Sequence, residues 1–217
     1  MSCCYYPPRE ELANRLTHGF GAVLSFAGLL LMVFYSSLYG DRWHLGSTAL
    51  YGLTLVILYS ASTLYHSVQN RRWRILCQKL DHAAIFLLIA GTYTPFMLNS
   101  LRAGTGWNIF GVVWGCALVG VVLKFFFGAK ADVLSTFIYL GMSWLILLAA
   151  RPLFAALPEG AFRLLLAGGA CYTLGTIFYL WEKLPFNHAV WHVWVLAGSA
   201  CHWMAIFGYI VPPIAAT

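Results

Sequence analysis

The sequence predicts an all-α membrane protein: a seven-transmembrane-helix bundle with its N-terminus cytoplasmic and its C-terminus outside. Three observations predict it. The chain is 61% hydrophobic and only 9% charged over 217 residues, where a soluble domain carries roughly 25% charged residues. Its apolar residues fall into seven runs, each near the ~20 residues that a spanning helix needs. The segments between the runs are short and polar, so consecutive helices are antiparallel neighbours in one bundle.

The runs are Thr17–Tyr39, Ser47–Val68, Leu80–Leu101, Trp107–Phe127, Val133–Ala150, Phe162–Trp181 and His188–Val211. They divide the chain into a short N-terminal tail (1–16), a membrane domain (17–211) and a short C-terminal tail (212–217). Met1 to Asn14 is polar, carries Glu10 and Glu11, and leads into a full-length span, unlike a cleavable signal peptide. Lysine and arginine orient the bundle. With odd-numbered spans leaving the N-terminal side, that side carries Arg9, Arg15, Arg71, Arg72, Arg74, Lys79, Lys124, Lys130 and Lys183. The opposite side carries Arg42, Arg102, Arg151 and Arg163. Cytoplasmic loops are the ones enriched in these residues, which puts the N-terminus inside.

The net charge of +6 does not imply nucleic acid, because no basic run is interleaved with aromatic residues. The charges read as confined to loops, and Arg71-Arg72-Trp73-Arg74 as a topology signal more than a lipid-headgroup site. The six cysteines form no CxxC pair and no disulfide framework; Cys3 and Cys4 read as free thiols, with lipidation as the alternative. Trp43, Trp107, Trp181 and Trp191 sit near run ends and read as interfacial anchors. Gly111-Val-Val-Trp-Gly115 is a pattern for close helix packing, and Pro95 should kink the third span.

The informative residues are polar ones in apolar runs. His188 and His192 lie one turn apart at the start of the seventh run, on one helix face. His66 is near the end of the second run and Asp81 near the start of the third, so three helices bring three imidazoles and a carboxylate to one depth on the N-terminal side. Ser62 lies one turn before His66 on the same face. Neutral imidazole is a preferred ligand for Zn2+, and three histidines leave a fourth position open, as catalytic sites do. Asp81 reads as a fourth ligand or as the holder of a zinc-bound water, and Ser62 as a hydrogen-bond partner of the water, a ligand or a substrate oxygen. The plain alternative is a buried polar network that ties the helices together without a metal. The other histidines read as less informative: His82 as interfacial, His44 as a loop residue on the opposite side, His202 as a packed, hydrogen-bonded core residue. Glu11, Asn14 and His18 form another polar group at the start of the first span; they read as a helix cap or as lining the cytoplasmic mouth of the same cavity, with a structural or supporting role the better reading.

Five motifs carry a resemblance: Glu11-xx-Asn14-xx-Thr17-His18, Ser62-Thr-Leu-Tyr-His66, Lys79-Leu-Asp81-His82-Ala-Ala-Ile, Gly91-Thr-Tyr-Thr-Pro95 and Asn187-His188-Ala-Val-Trp-His192. On these the chain resembles the bacterial hemolysin III family, within the superfamily of progestin and adiponectin receptors. The resemblance runs from about residue 11 to the C-terminus. It implies a seven-helix protein of the bacterial plasma membrane with a cytoplasmic N-terminus. It also implies zinc held by His66, His188 and His192, with Asp81 and Ser62 beside the metal or its water. The short N-terminal tail departs from the receptors and argues against a receptor-type ligand domain. Related alkaline ceramidases imply hydrolysis of lipid amides, with membrane lipids as partners and substrates; the hemolysin name implies cytolysis or pore formation. A sensor of membrane state, using the same site without turnover, is the third expectation.

Overall fold

The computed structural model describes residues 6–128 and 132–211; Cys3, Cys4, Lys130 and the tail 212–217 lie outside the described residues. Among the described residues there is no strand. Eight α-helices form seven spans. They are α1 (Pro8–Tyr39), α2 (Arg42–Ser67), α3 (Arg71–Pro95), α4 (Gly106–Phe127), α5 (Asp132–Trp144), α6 (Ala150–Ala156), α7 (Glu159–Leu180) and α8 (Asn187–Tyr209). A π-helical turn, Phe96–Ser100, continues α3, and a 3-10 turn, Leu145–Ala149, joins α5 to α6 within the fifth span.

Local chemistry sets the helix starts. Two helices begin a full nine residues before their apolar runs, α1 at Pro8 rather than Thr17 and α3 at Arg71 rather than Leu80. Proline is preorganised for the first helical position, and Glu10 and Glu11 in the first turn suit the positive end of the helix dipole. Asn70 caps α3, its side chain accepting from the backbone N–H of Arg72 at 3.0 Å and of Trp73 at 3.4 Å. Asp41 caps α2, accepting from Trp43 N–H at 2.9 Å and His44 N–H at 3.0 Å, while the His44 ring reaches back to the Asp41 N–H. The His44 backbone N–H, with its ring and the Trp43 N–H, holds the Asp41 carboxyl below the ordinary carboxylate range.

The fifth span is interrupted by the 3-10 turn Leu145–Ala149, between α5 and α6. Tyr93 of α3 meets the break, its hydroxyl lying 2.7 Å from the Met142 carbonyl and 3.0 Å from that of Ser143. At Pro95 the third span widens from α to π, and Asn99 in that turn donates to the Pro95 carbonyl at 2.7 Å and to Ser47 of α2 at 2.9 Å. The expected kink at Pro95 is thus a change of helical register closed by an amide side chain.

The third span is the central one: 72% of its most apolar window is buried, against 50% or less for every other span. It packs on α2 and α4; α1 packs on α2 and α8, α8 on α7, and the ring closes through α5 against α3, α4 and α7. Gly91 lets α3 approach α2, since a methyl group there would run into the Thr54 side chain. Large side chains such as Phe20, Phe26, Phe126, Phe137 and Leu148 are exposed on the outer surface, as a protein with hydrocarbon for a solvent requires. Alternating spans put the start of α1, end of α2, start of α3, end of α4, start of α5, end of α7 and start of α8 at one end, called here the N-terminal end.

Candidate metal centre

His66 occupies the last turn of α2, and His188 and His192 the first two turns of α8. The chain enters α8 through Phe186, whose φ of 57° is rare for a bulky residue and is the only positive φ among the described non-glycine residues. Such a conformation costs of order 1–3 kcal/mol and persists only when its surroundings hold it. The next residue supplies part of that hold: Asn187 Nδ2 lies 3.4 Å from the carbonyls of both Phe178 and Tyr179 at the end of α7.

The three histidines meet. One ring nitrogen from each lies within 4.8 Å of the others. Ring centroids are 5.0 Å apart for His66 and His188, 5.2 Å for His66 and His192, and 4.5 Å for His188 and His192. All three side chains are buried. In each, Nδ1 has a partner: Glu11 Oε2 at 2.8 Å from His66, the Tyr6 hydroxyl at 3.1 Å from His188, and Thr17 Oγ1 at 3.1 Å from His192. In each, Nε2 is buried without one. Buried polar atoms in native proteins are almost always paired, so three unpaired Nε2 atoms on rings that meet in this way call for a shared ligand.

The partners also settle two tautomers. A carboxylate only accepts, so His66 Nδ1–H donates to Glu11 and its Nε2 keeps a lone pair. Thr17 Oγ1 lies 2.9 Å from the Ala13 carbonyl and 3.0 Å from that of Asn14. Its proton is committed there, so the oxygen accepts from His192 Nδ1–H, and that Nε2 also carries a lone pair. Imidazoles oriented through the far nitrogen are what metal sites show. The donor set therefore fits a nitrogen-preferring divalent ion, and His66, His188 and His192 would hold it.

Glu11 does more than orient one ring. Its Oε1 accepts from the Tyr6 backbone N–H at 3.2 Å and pairs with Arg74 Nη2. Arg74 is buried, donates through Nη1 to the carbonyls of Tyr65 at 3.2 Å and Val68 at 3.3 Å, and lies over the Tyr65 ring. The early starts of α1 and α3 thus bring Glu11 and Arg74 together across the end of α2. Arg74 is an internal clamp, unlike the surface charge its basic cluster suggested.

Asp81 is buried but stands outside the three-histidine group. It lines an adjoining cavity that runs between α3, the fifth span, α7 and α8. His18, Asp81, His82 and Trp191 line one part of this cavity; Tyr93, Leu165 and His202 line others. Most of the wall is apolar. Ser62 is fully buried, with its hydroxyl beside the Asp81 carboxyl.

Several other residues differ from their sequence reading. His82 is buried rather than interfacial, its Nδ1 lying 3.0 Å from Asp132 Oδ1 and 3.1 Å from Lys124 Nζ. Lys124 is 1% exposed and pairs with Asp132 at 2.5 Å, so charge is not confined to the loops. A lysine inside an apolar run was the available signal, because such a residue needs a partner. Trp191 covers the site instead of anchoring an interface, its ring centroid 5.1 Å from that of His188 and 5.3 Å from that of His192. Gly111 and Gly115 face open space in place of a neighbouring helix. His202 is a core residue as expected, Nε2 lying 3.2 Å from the Leu165 carbonyl, and His44 belongs to the cap of α2.

Comparison with known proteins places the chain in a family. A family model described as "Haemolysin-III related" matches residues 6–203, a stretch that holds all three histidines and their Nδ1 partners. The chain belongs to the haemolysin-III-related family. It is 45% identical to "Hemolysin-3" of Bacillus cereus, over 94% of this chain and 93% of that protein. It is 43% identical to "Hemolysin-3 homolog" of Bacillus subtilis (strain 168), over 94% of this chain and 95% of that one. A weaker similarity, 29% over 95% of this chain and 85% of the other, is to "Monocyte to macrophage differentiation factor" of Homo sapiens. Seven membrane-length helices and these bacterial relatives make this haemolysin-III-related chain an integral membrane protein of the bacterial plasma membrane.

Proposed function

We propose that the chain is a zinc-dependent hydrolase of lipid amide or ester bonds, with its N-terminus in the cytoplasm and its metal centre near that face. The observation that carries this reading is the convergence of three unpaired Nε2 atoms beside a cavity lined by Asp81 and apolar side chains. When bound by three imidazoles, zinc lowers the pKa of a coordinated water toward ~7 and polarises a carbonyl oxygen.

The protein's own residues do the rest. Glu11, Tyr6 and Thr17 hold the rings so that Nε2 is left for the shared ligand. The cavity takes a single acyl chain from the bilayer and excludes bulk water from the reacting carbonyl. Asp81 accepts the proton of the attacking water as general base. Oxygen bonds to the carbonyl carbon, the C–N or C–O bond breaks, and Asp81 returns the proton to the departing amine or alcohol. Ser62, buried beside Asp81, donates a hydrogen bond to water or substrate oxygen. A fatty acid is released. Asp81→Asn is expected to keep the metal and to lose turnover by about 10²–10⁴-fold, since an amide cannot take the proton.

Cytolysis is the reading that the names of two relatives carry, and one assay separates the two. Zinc-loaded protein is reconstituted into vesicles of mixed lipid extract enclosing a dye, and fatty acids are measured by mass spectrometry. Fatty acid release without leakage supports the hydrolase. Leakage without release supports a pore. Neither, with stability that depends on zinc, supports a sensor without turnover.

A further inference from the structure

His18 is one of the most enclosed side chains in the molecule, 1% exposed, yet both of its ring nitrogens lack a hydrogen-bond partner. Leaving such a group buried and unpaired is costly, and a neutral imidazole always carries one donor and one acceptor. One face of the ring is taken. It lies on His192 with centroids 3.4 Å apart and planes 12° apart, and the Tyr59 ring stands perpendicular to it at 5.0 Å. The ring nitrogens are not taken, and His18 lines the cavity.

The other polar groups on the same wall are mostly committed. His82 and Asp132 are tied to each other, the Tyr93 hydroxyl to the break in the fifth span, and the Tyr172 hydroxyl to Ser199. His202 has one unpaired nitrogen, but its other is held by Leu165. His18 is therefore a wall residue with its whole hydrogen-bonding capacity unused, and it is stacked on one ring of the metal centre. Asn14, one turn away on the same face of α1, is also fully buried with both amide atoms unpaired.

We propose that His18 holds the substrate's carbonyl oxygen, donating a ring N–H to it where the cavity meets the three-histidine centre. This rests on the hydrolase reading for the identity of the occupant, a single acyl chain with a carbonyl at one end. A carbonyl offers only acceptor sites, which selects the donor nitrogen of His18. Stacking on His192 fixes the ring plane, and so the direction in which that donor points. Chains without an acceptor at this position leave the donor unpaired and bind less well, so His18 makes the cavity selective for acyl compounds over plain hydrocarbon.

The test uses two probes that cannot be hydrolysed: a long-chain methyl ketone and the alkane of the same length. Each displaces a brominated alkane that quenches Trp144 and Trp191, which line the cavity, in the full-length, zinc-loaded protein. Wild type is expected to prefer the ketone about tenfold, the effect of one buried hydrogen bond. His18→Phe keeps a flat ring for stacking and is expected to lose that preference while binding the alkane as wild type does. His18→Gln, which retains a donor, is expected to keep part of the preference. No preference in wild type, an undiminished preference in His18→Phe, or equal weakening of both probes would overturn the proposal. Should His18→Phe fail to fold, the infrared carbonyl band of the ketone bound to wild type decides. A shift to lower wavenumber than in alkane solvent supports the bond, and the alkane-solvent value overturns it. Ketone binding needs no turnover, so a His18-dependent preference in protein that cleaves no lipid removes the hydrolase and leaves the carbonyl site. Cleavage by His18→Phe with unchanged KM and kcat does the reverse.

Discussion

Glu11 connects more of the site than any other side chain: one carboxylate oxygen holds His66 Nδ1, and the other takes Arg74 and the Tyr6 backbone. Glu11→Gln leaves one acceptor oxygen where His66 and Arg74 each used one, and leaves Arg74 buried without its counter-ion. Glu11→Gln is expected to weaken zinc binding by about 10–100-fold, the usual effect of losing a ligand's orienting partner, as read by competition with a chelator of known affinity. Unchanged affinity would mean that the His66 ring is fixed by packing alone. Glu11 was legible in the sequence only as a polar residue near the site, because its role depends on Arg74, sixty-three positions away, and on α1 starting at Pro8. Trp191 was misread for a related reason. A tryptophan near a run end usually marks the interface, and only the turn of α8 shows that it faces the histidines.

The elements that shape the cavity are the irregular ones. The 3-10 turn Leu145–Ala149 interrupts the fifth span, and the Tyr93 hydroxyl binds the carbonyls of Met142 and Ser143 just before it. Tyr93→Phe is expected to destabilise the protein by about 1–3 kcal/mol, the effect of leaving buried acceptors unpaired, measured as a lower melting temperature in detergent. No change would show that the break is closed from elsewhere. Apolar periodicity located all seven spans but not this break, since a run of Leu, Ile and Ala looks the same in α and 3-10 geometry. It also placed the starts of α1 and α3 too late, because their first turns are polar and are held by Pro8, Asn70 and the Glu11–Arg74 pair rather than by hydrophobic burial.

The bundle as a whole was the most legible feature, because composition and run length follow from the solvent and hardly depend on packing detail. Its depth order was legible too: His66, His188 and His192 share one end because spans alternate, and alternation needs only the number of spans between them. Lys124, His82 and Asp132 were not read as a cluster, since three residues on three helices leave no spacing pattern. Orientation rests on the lysine and arginine distribution. An alkaline phosphatase fused at the C-terminus is expected to be active and one at the N-terminus silent; the opposite result would put the metal centre near the outer face. The proposed chemistry depends on three Nε2 atoms holding one ion. Elemental analysis of purified wild type beside His192→Ala measures that most directly. One zinc per chain in wild type and its loss in the variant is the predicted result, and the same zinc content in both, or none in either, would contradict it.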